Sequence, residues 1–247
     1  MSVLLLALVA GAVVGLALGG LGGGGSVLAV PALIYLLGFS PVAATTASLI
    51  IVAATSISSL VAHARDGNVR WRSGLLFAAA GIGPAMLGGL VAGHLPAPVL
   101  TAAFSVIAAL AAWRMLRPSS PAPDHPPRPA RAAGAGAGLG AVTGVLGVGG
   151  GFLAVPALVG VLGLRMKAAV GTSLLVIVIN SVAALATRTG TAEGLDWAVI
   201  APFTGAAILG AWDGKRLAAK ISGNRLQHVF AYVLLAVAAL MLLDTLV

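Results

Sequence analysis

The sequence predicts an all-α, polytopic membrane protein built from two inverted structural repeats with broken or re-entrant helices. Three observations predict it: long apolar stretches, glycine clusters that interrupt them, and repetition of this pattern along the chain. Of the 247 residues, 60% are hydrophobic and 8% are charged, against about 25% charged residues in soluble domains. A soluble monomer could not cover this much apolar surface, which excludes a soluble enzyme, a disordered chain and a soluble nucleic-acid-binding protein.

The net charge and the absence of cysteine limit the kinds of ligand and partner that we expect. The chain has no cysteine, which excludes disulfides and thiol chemistry, and we predict no cofactor and no metal. The net charge of +8 would suggest nucleic acid in a soluble protein. In a membrane protein, lysine and arginine instead mark cytoplasmic loops. The expected partners are therefore the lipid bilayer and a small anionic substrate, and not a nucleic acid.

Ten apolar stretches cover most of the chain, and a proline-rich segment divides them into two sets. The segment 117–133 predicts a cytoplasmic linker between a first transmembrane repeat at 1–116 and a second at 134–247. Most stretches approach the roughly 20 residues that cross a bilayer. They are 3–21, 26–37, 42–62, 73–93, 98–116, 134–146, 152–162, 168–187, 197–212 and 226–247.

Two stretches, 26–37 and 152–162, are too short to cross a bilayer. At 1.5 Å per residue they reach about 18 Å, against a hydrocarbon core of about 30 Å. Each follows a glycine cluster and contains a proline, Pro31 or Pro156. These features predict half-helices or re-entrant segments.

The two short stretches belong to an internal duplication. A shift of 125 residues places GGGGSVLAVPAL on GVGGGFLAVPAL, and 11 of the 17 positions from Gly22 to Gly38 are identical. Apolar composition alone would not align glycines and a proline at fixed offsets.

Loop charges predict that the second repeat is inverted. The loops 63–72 and 163–167 and the linker are basic, whereas 188–196 is net acidic. With the basic loops in the cytoplasm, a basic loop follows the third segment in the first half and precedes it in the second. Corresponding loops then lie on opposite sides, both termini face outward, and the chain is a multi-pass protein of the plasma (inner) membrane.

Inverted repeats with discontinuous helices are typical of secondary transporters. Glycine clusters expose backbone N–H groups, and a half-helix N-terminus adds partial positive charge, so an anion is the ligand that suits them. Asn180 is the most informative polar residue, because an amide within a span requires a partner, whereas a hydroxyl can bond to its own helix. The predicted substrate-binding residues are Gly23, Gly24, Gly25, Ser26, Pro31, Thr45, Ser48, Gly149, Gly150, Gly151, Pro156, Thr172, Ser173 and Asn180.

No acidic or basic residue lies in the middle of a clear span. Arg188 and Asp213 fall near segment ends, where snorkelling or a loop position accounts for them. No proton-relay carboxylate is therefore predicted. The competing interpretation of the glycines, close helix packing without a site, remains open.

The paired motifs GGGGSVLAVPAL and GVGGGFLAVPAL, followed by AATTASL and AAVGTSL, resemble those of the TauE/SafE family of sulfite and sulfoacetate exporters. The stretches DGNVRW and EGLDW resemble a family loop before the fourth segment. This resemblance implies transport of small sulfur-containing anions across the plasma membrane, often by dimers. Two features depart from the pattern: Ser26 stands where the second half has Gly151, and AVGTS is intact only at 169–173.

Alternative functions are a channel-like anion pore and a transporter of another small anion. An intramembrane hydrolase using Ser26 with His63 or His94 is the weaker interpretation, because both histidines lie at segment ends and no base is positioned on the serine. We therefore do not expect an enzyme.

Overall fold

Helices make up every regular element in the part of the chain that the structure describes. The computed structural model describes residues 3–22, 26–92, 94–116, 129–146, 151–188 and 195–246, and within them no β-strand occurs. This confirms the all-helical fold class. The helices are α1 (Val3–Leu21), α2 (Ser26–Pro31, continued by a π-helical turn at Ala32–Leu36), α3 (Pro41–Arg65), α4 (Trp71–Ala92), α5 (Ala97–Leu116), α6 (Pro129–Leu146), α7 (Gly151–Gly160), α8 (Met166–Leu185), α9 (Trp197–Ala219) and α10 (Gly223–Leu246).

Five of these helices, α1, α3, α4, α5 and α8, are long and apolar enough to cross a membrane. Large apolar side chains on them face outward, and Leu76 and Leu87 expose 74% and 65% of their surface. Water solvates such an apolar surface poorly, whereas lipid solvates it well. The multi-pass membrane class is thereby confirmed. Helices α9 and α10 also form where apolar stretches predicted them, but they are not among these five.

The two short helices end in the same way. Each terminates at a glycine in the left-handed conformation, Gly38 with φ +72° and Gly163 with φ +64°. The N–H of each glycine donates to a carbonyl four residues earlier, at Ile34 (3.2 Å) and Val159 (3.1 Å). Only glycine adopts this backbone conformation at little cost. The 125-residue repetition of the sequence therefore recurs in backbone hydrogen bonds.

Glycines hold α1 against α9. They are spaced four residues apart, and a Cβ atom on any of them would overlap the backbone of α9. Their partners on α9 are also four residues apart, and the residue numbers of glycine and partner increase together. The two helices therefore run parallel. The pairs are Gly11 with Phe203, Gly15 with Ala207, and Gly19 with Ala211.

The same interface recurs between α6 and α4. Its glycines lie 125 residues after those of α1, and it again joins helices that run parallel. The pairs are Gly136 with Phe77, Gly140 with Gly81, and Gly144 with Ala85. The first long helix of each half thus packs on a helix of the other half, α1 on α9 and α6 on α4. For these glycines, which the sequence analysis did not single out, close helix packing is the observed role.

Helix α6 begins at Pro129, five residues before the predicted start of the second repeat. A proline is tolerated in the first turn of a helix because its missing N–H would have no partner there. Residues 129–133 are therefore helical rather than extended, and 117–128 lie outside the described residues. The division at 1–116 and 134–247 otherwise stays a prediction.

One end of the bundle collects the basic residues, and we call it the basic end. Lys215 forms an ion pair with Asp66 at 2.7 Å, and the backbone N–H of Arg70 donates to the Thr172 hydroxyl at 3.0 Å. The first contact joins the end of α9 to the end of α3, and the second joins the start of α4 to the first half of α8. Because successive helices alternate in direction, every described lysine and arginine except Arg188 lies at or near a helix terminus at this end.

The Lys215–Asp66 pair is expected to give a small, pH-dependent stabilisation. The hydrogen bond from Lys215 lowers the pKa of Asp66, so this contribution is present above the unfolded value of about 4 and is lost as the pH falls through the folded value. Half of the Asp66 side chain is exposed, so Asp66→Asn should cost less than about 1 kcal/mol at neutral pH. At about pH 2 it should cost almost nothing.

Thermal unfolding in detergent at the two pH values checks this expectation. Asp213→Asn is the matched control, because the Asp213–Arg216 pair is 68% and 75% exposed. That variant should match the parent at both pH values. An equal loss in the two variants, or a loss for Asp66→Asn that persists in acid, would contradict the prediction.

Candidate functional site

The two short helices begin at equivalent residues, Ser26 and Gly151, and both residues are buried. Pro31 and Pro156 lie inside these helices and are partly buried. The predicted site residues Gly23, Gly24, Gly25, Gly149 and Gly150 lie outside the described residues.

Ser48 and Ser173 are fully buried and make the same hydrogen bond in the two halves. Ser48 donates to the carbonyl of Thr45 at 3.1 Å, and Ser173 donates to the carbonyl of Val170 at 2.8 Å. Their hydroxyl protons thus point back to their own helices, as a serine inside a helix commonly does.

Ser173 also contacts the start of the first glycine cluster. Gly22 has φ +65°, and a Cβ atom there would lie 2.8 Å from the Ser173 hydroxyl and 3.0 Å from the Val170 carbonyl. Any other residue at this position would be strained and would collide with α8. The end of the first segment of one half is therefore seated on a buried hydroxyl of the other half.

Arg188 corrects the sequence analysis, which placed it at a segment end where snorkelling would expose it. The residue is only 5% exposed. Its Nη1 donates to the Thr45 hydroxyl at 2.9 Å, and its Nη2 donates to the carbonyls of Gly144 and Val145. The last carbonyls of a helix have no donor within that helix, so the end of α6 offers the guanidinium acceptors that water would otherwise supply.

Burial lowers the pKa of Arg188 to about 10, so the side chain remains a cation at neutral pH. Arg188 therefore places a positive charge beside the final turn of α6. Charge and helix end attract each other, because the carbonyl end of a helix carries partial negative charge.

His63 is the counterpart of Arg188 in the first half. It is 6% exposed, and its Nε2 donates to the carbonyl of Gly19 at 3.2 Å. His63 and Arg188 are 125 residues apart, as are their acceptors Gly19 and Gly144. From the sequence, His63 was considered only for a hydrolase and Arg188 only as a snorkelling residue, although the duplication extended to the third segments pairs them.

Thr172 and Asn180 occupy different surroundings. Thr172 accepts the Arg70 N–H at the basic end. Asn180 is fully buried and its amide lies against Gly81 of α4. Among the described residues neither polar atom of that amide has a hydrogen-bond partner.

The described contacts thus arrange the predicted residues in two groups rather than around one cavity. Ser173 and Thr172 lie toward the basic end, near Gly22 and His63, whereas Thr45 lies at the opposite end with Arg188. Beside Thr45 is a cavity of about 20 Å³, which has room for about one water molecule.

Buried hydroxyls, a buried amide and a buried cation inside a multi-pass helical bundle are features that mark solute pathways in membrane proteins. The family model described as "Sulfite exporter TauE/SafE" matches residues 7–241, so the chain belongs to the TauE/SafE sulfite exporter family. This confirms the resemblance seen in the paired glycine motifs.

Two curated relatives are described as probable membrane transporter proteins. The one from Xylella fastidiosa strain 9a5c is 36% identical over 238 residues, covering 92% of this chain and 90% of the relative. The one from strain Temecula1 / ATCC 700964 is 35% identical with the same coverage. No solved structure matches the chain. Family and relatives both indicate a membrane transporter, in agreement with the expectation that the protein is not an enzyme.

Proposed function

We propose that the protein is a secondary transporter that exports small sulfur-containing anions, such as sulfite, sulfoacetate or a similar organosulfonate, across the plasma membrane. The observation that carries this proposal is the duplicated glycine break, whose first copy begins against the buried Ser173 hydroxyl. Membership of the sulfite exporter family supports the substrate class. The buried cation Arg188 supports a negatively charged substrate.

The proposed mechanism uses two inverted repeats. The fourth helices of the two halves, α4 and α9, support the inversion, because α4 begins at the basic end whereas α9 ends there. The equivalent contacts of His63 and Arg188 support it too, since one lies at the basic end and the other at the opposite end. Inverted repeats of this kind allow a site to face either side in turn.

We place the basic end in the cytoplasm, because described lysines and arginines other than Arg188 gather there. An inside-negative potential then drives an anion outward with about 2.3 kcal/mol per charge per 100 mV. Export therefore needs no proton-relay carboxylate. The proposed binding residues are distributed along the pathway in the two groups described above. They are the N–H groups of Gly23, Gly24, Gly25, Gly149 and Gly150, the hydroxyls of Ser26, Thr45, Ser48, Thr172 and Ser173, and the amide of Asn180.

Flux into proteoliposomes tests the proposal. We expect saturable movement of sulfite or sulfoacetate that accelerates when the potential drives anions from the basic end to the opposite end, and exchange of labelled substrate against unlabelled substrate. Protein-free liposomes and Gly138→Ala protein are the controls, because Gly138 has open space around it. Flux that never saturates and shows no exchange would favour the channel-like pore.

Absence of flux and of binding for every sulfur oxyanion tested would overturn the substrate class. Movement of a different small anion under the same conditions would then identify the cargo. The homodimer implied by the family resemblance is also a proposal, and mass measurement of the detergent-solubilised protein decides it.

A further inference from the structure

We propose that His63 and Arg188 are equivalent gate residues of the two halves, each closing one end of the transport pathway by holding the final turn of α1 or α6. The proposal rests on the proposed transport function. Neither residue is assigned a role by the family match or by the names of the relatives.

One contact is repeated at both ends of the bundle. In each half, a basic side chain after or near the end of the third segment donates to the carbonyl of a glycine in the first helix, Gly19 or Gly144. Both side chains are buried. Helix capping alone explains one such contact. Its recurrence at opposite ends is what two matching gates require.

The Arg188 side chain joins elements of both halves. Its guanidinium binds Thr45 at the start of α3 and the carbonyls of Gly144 and Val145 at the end of α6. Three elements from both halves meet at this side chain, and they cannot separate until its hydrogen bonds break. Beside Thr45 the described residues leave a cavity of about 20 Å³, with room for about one water molecule.

The Arg188 and His63 contacts differ in the number of hydrogen bonds that they contain. Arg188 makes bonds to three acceptors, whereas His63 makes one described bond, at 3.2 Å. The neighbouring Lys215–Asp66 pair also ties α9 to the end of α3, but half of the Asp66 side chain is exposed, so this pair adds little. We therefore expect the basic end to open more readily than the Arg188 end, which suits a carrier that takes up its substrate at the basic end.

The absence of cysteine from the natural chain makes a labelling experiment direct. Leu21→Cys and Leu146→Cys are matched reporters: they are 125 residues apart, 6% and 3% exposed, and each lies two residues beyond its contact glycine. A membrane-impermeant thiol reagent is applied to either face of oriented vesicles. In the parent, we expect both reporters to react slowly, and Leu21→Cys faster than Leu146→Cys.

Breaking one contact should open one end. We expect Arg188→Gln to raise the labelling rate of Leu146→Cys about tenfold from the face opposite the basic end, with no change for Leu21→Cys. His63→Leu should raise the rate of Leu21→Cys from the basic face only. His63→Gln, which retains a donor, should restore a slow rate.

Milder variants keep the test decisive if Arg188→Gln does not fold. Thr45→Val removes one acceptor and Arg188→Lys removes the planar fork, and each should raise Leu146→Cys labelling by a smaller factor. Variants that remain monodisperse but leave both rates unchanged, or raise both rates equally, would overturn the gate assignment.

The labelling needs no substrate, so the two proposals fail separately. Selective opening without flux of any sulfur anion would leave the gates and remove the substrate class. Normal sulfite or sulfoacetate flux without selective opening would leave the substrate class and remove the gate assignment.

Discussion

Gly140→Ala should destabilise the folded protein by about 1–3 kcal/mol, which is the usual cost of forcing a methyl group into a packed interface. A Cβ atom at this position would overlap the carbonyl oxygen of Gly81 and would lie 2.6 Å from its Cα atom. Backbone cannot move aside as a flexible side chain can, so α6 and α4 must separate. Gly15→Ala should have a similar effect, since its Cβ atom would lie 2.6 Å from the Cα atom of Ala207.

Thermal unfolding followed by tryptophan fluorescence measures this effect. Gly138→Ala is the control on the same helix, because a Cβ atom there meets nothing within 4 Å. Removing glycine from a helix interior stabilises it by about 0.5–1 kcal/mol, so Gly138→Ala should be neutral or slightly stabilising. If Gly140→Ala proved as stable as Gly138→Ala, the packing role of this glycine face would be wrong.

Asn180→Leu should raise stability and abolish transport. The Asn180 amide is fully buried, and neither of its polar atoms has a partner among the described residues. An unsatisfied buried polar group costs about 1–3 kcal/mol, and leucine keeps the branched shape without that cost. We therefore expect a stability gain of about 1 kcal/mol together with a loss of flux of tenfold or more, about 1.4 kcal/mol or more of lost interaction.

Thr55→Val provides the matched control, because Thr55 is the equivalent of Asn180 in the first half. The Thr55 hydroxyl donates to the carbonyl of Ile51 at 2.7 Å within its own helix, so its removal should leave flux near the parent value. Asn180→Leu protein that is less stable than the parent and still transports would show that the amide is a packing residue.

The course of the helices followed closely from the sequence, because apolar length and glycine breaks decide where a helix can run in lipid. The short stretches at 26–37 and 152–162 indeed form short helices, α2 and α7. The start of α6 did not follow from the sequence, because composition does not reveal that Pro129 starts a helix rather than extending a loop.

Which helices pack together could not be predicted. The helices are apolar on most sides, so no polar face marks the outside. The glycines of α1 and α6 carry that information in their four-residue spacing. The position of Arg188 was predicted wrongly for a related reason. A cation at a segment end points to water unless the end of a neighbouring helix offers it carbonyl acceptors. Here that helix is α6, which is distant from Arg188 in sequence.

The crossed pairing of α1 with α9 and of α6 with α4 also bears on how the chain matures during its synthesis. About 190 residues separate Gly11 from Phe203, which at 5–20 residues per second is a delay of roughly 10–40 seconds. The partners of α6 on α4 are made before α6 itself, so that interface can form at once. Throughout the wait, the glycine face of α1 has no partner helix and contacts lipid or the insertion machinery. Helix α1 is thus among the last of these helices to reach its final neighbours, and the N-terminal half alone lacks the surface that would receive it.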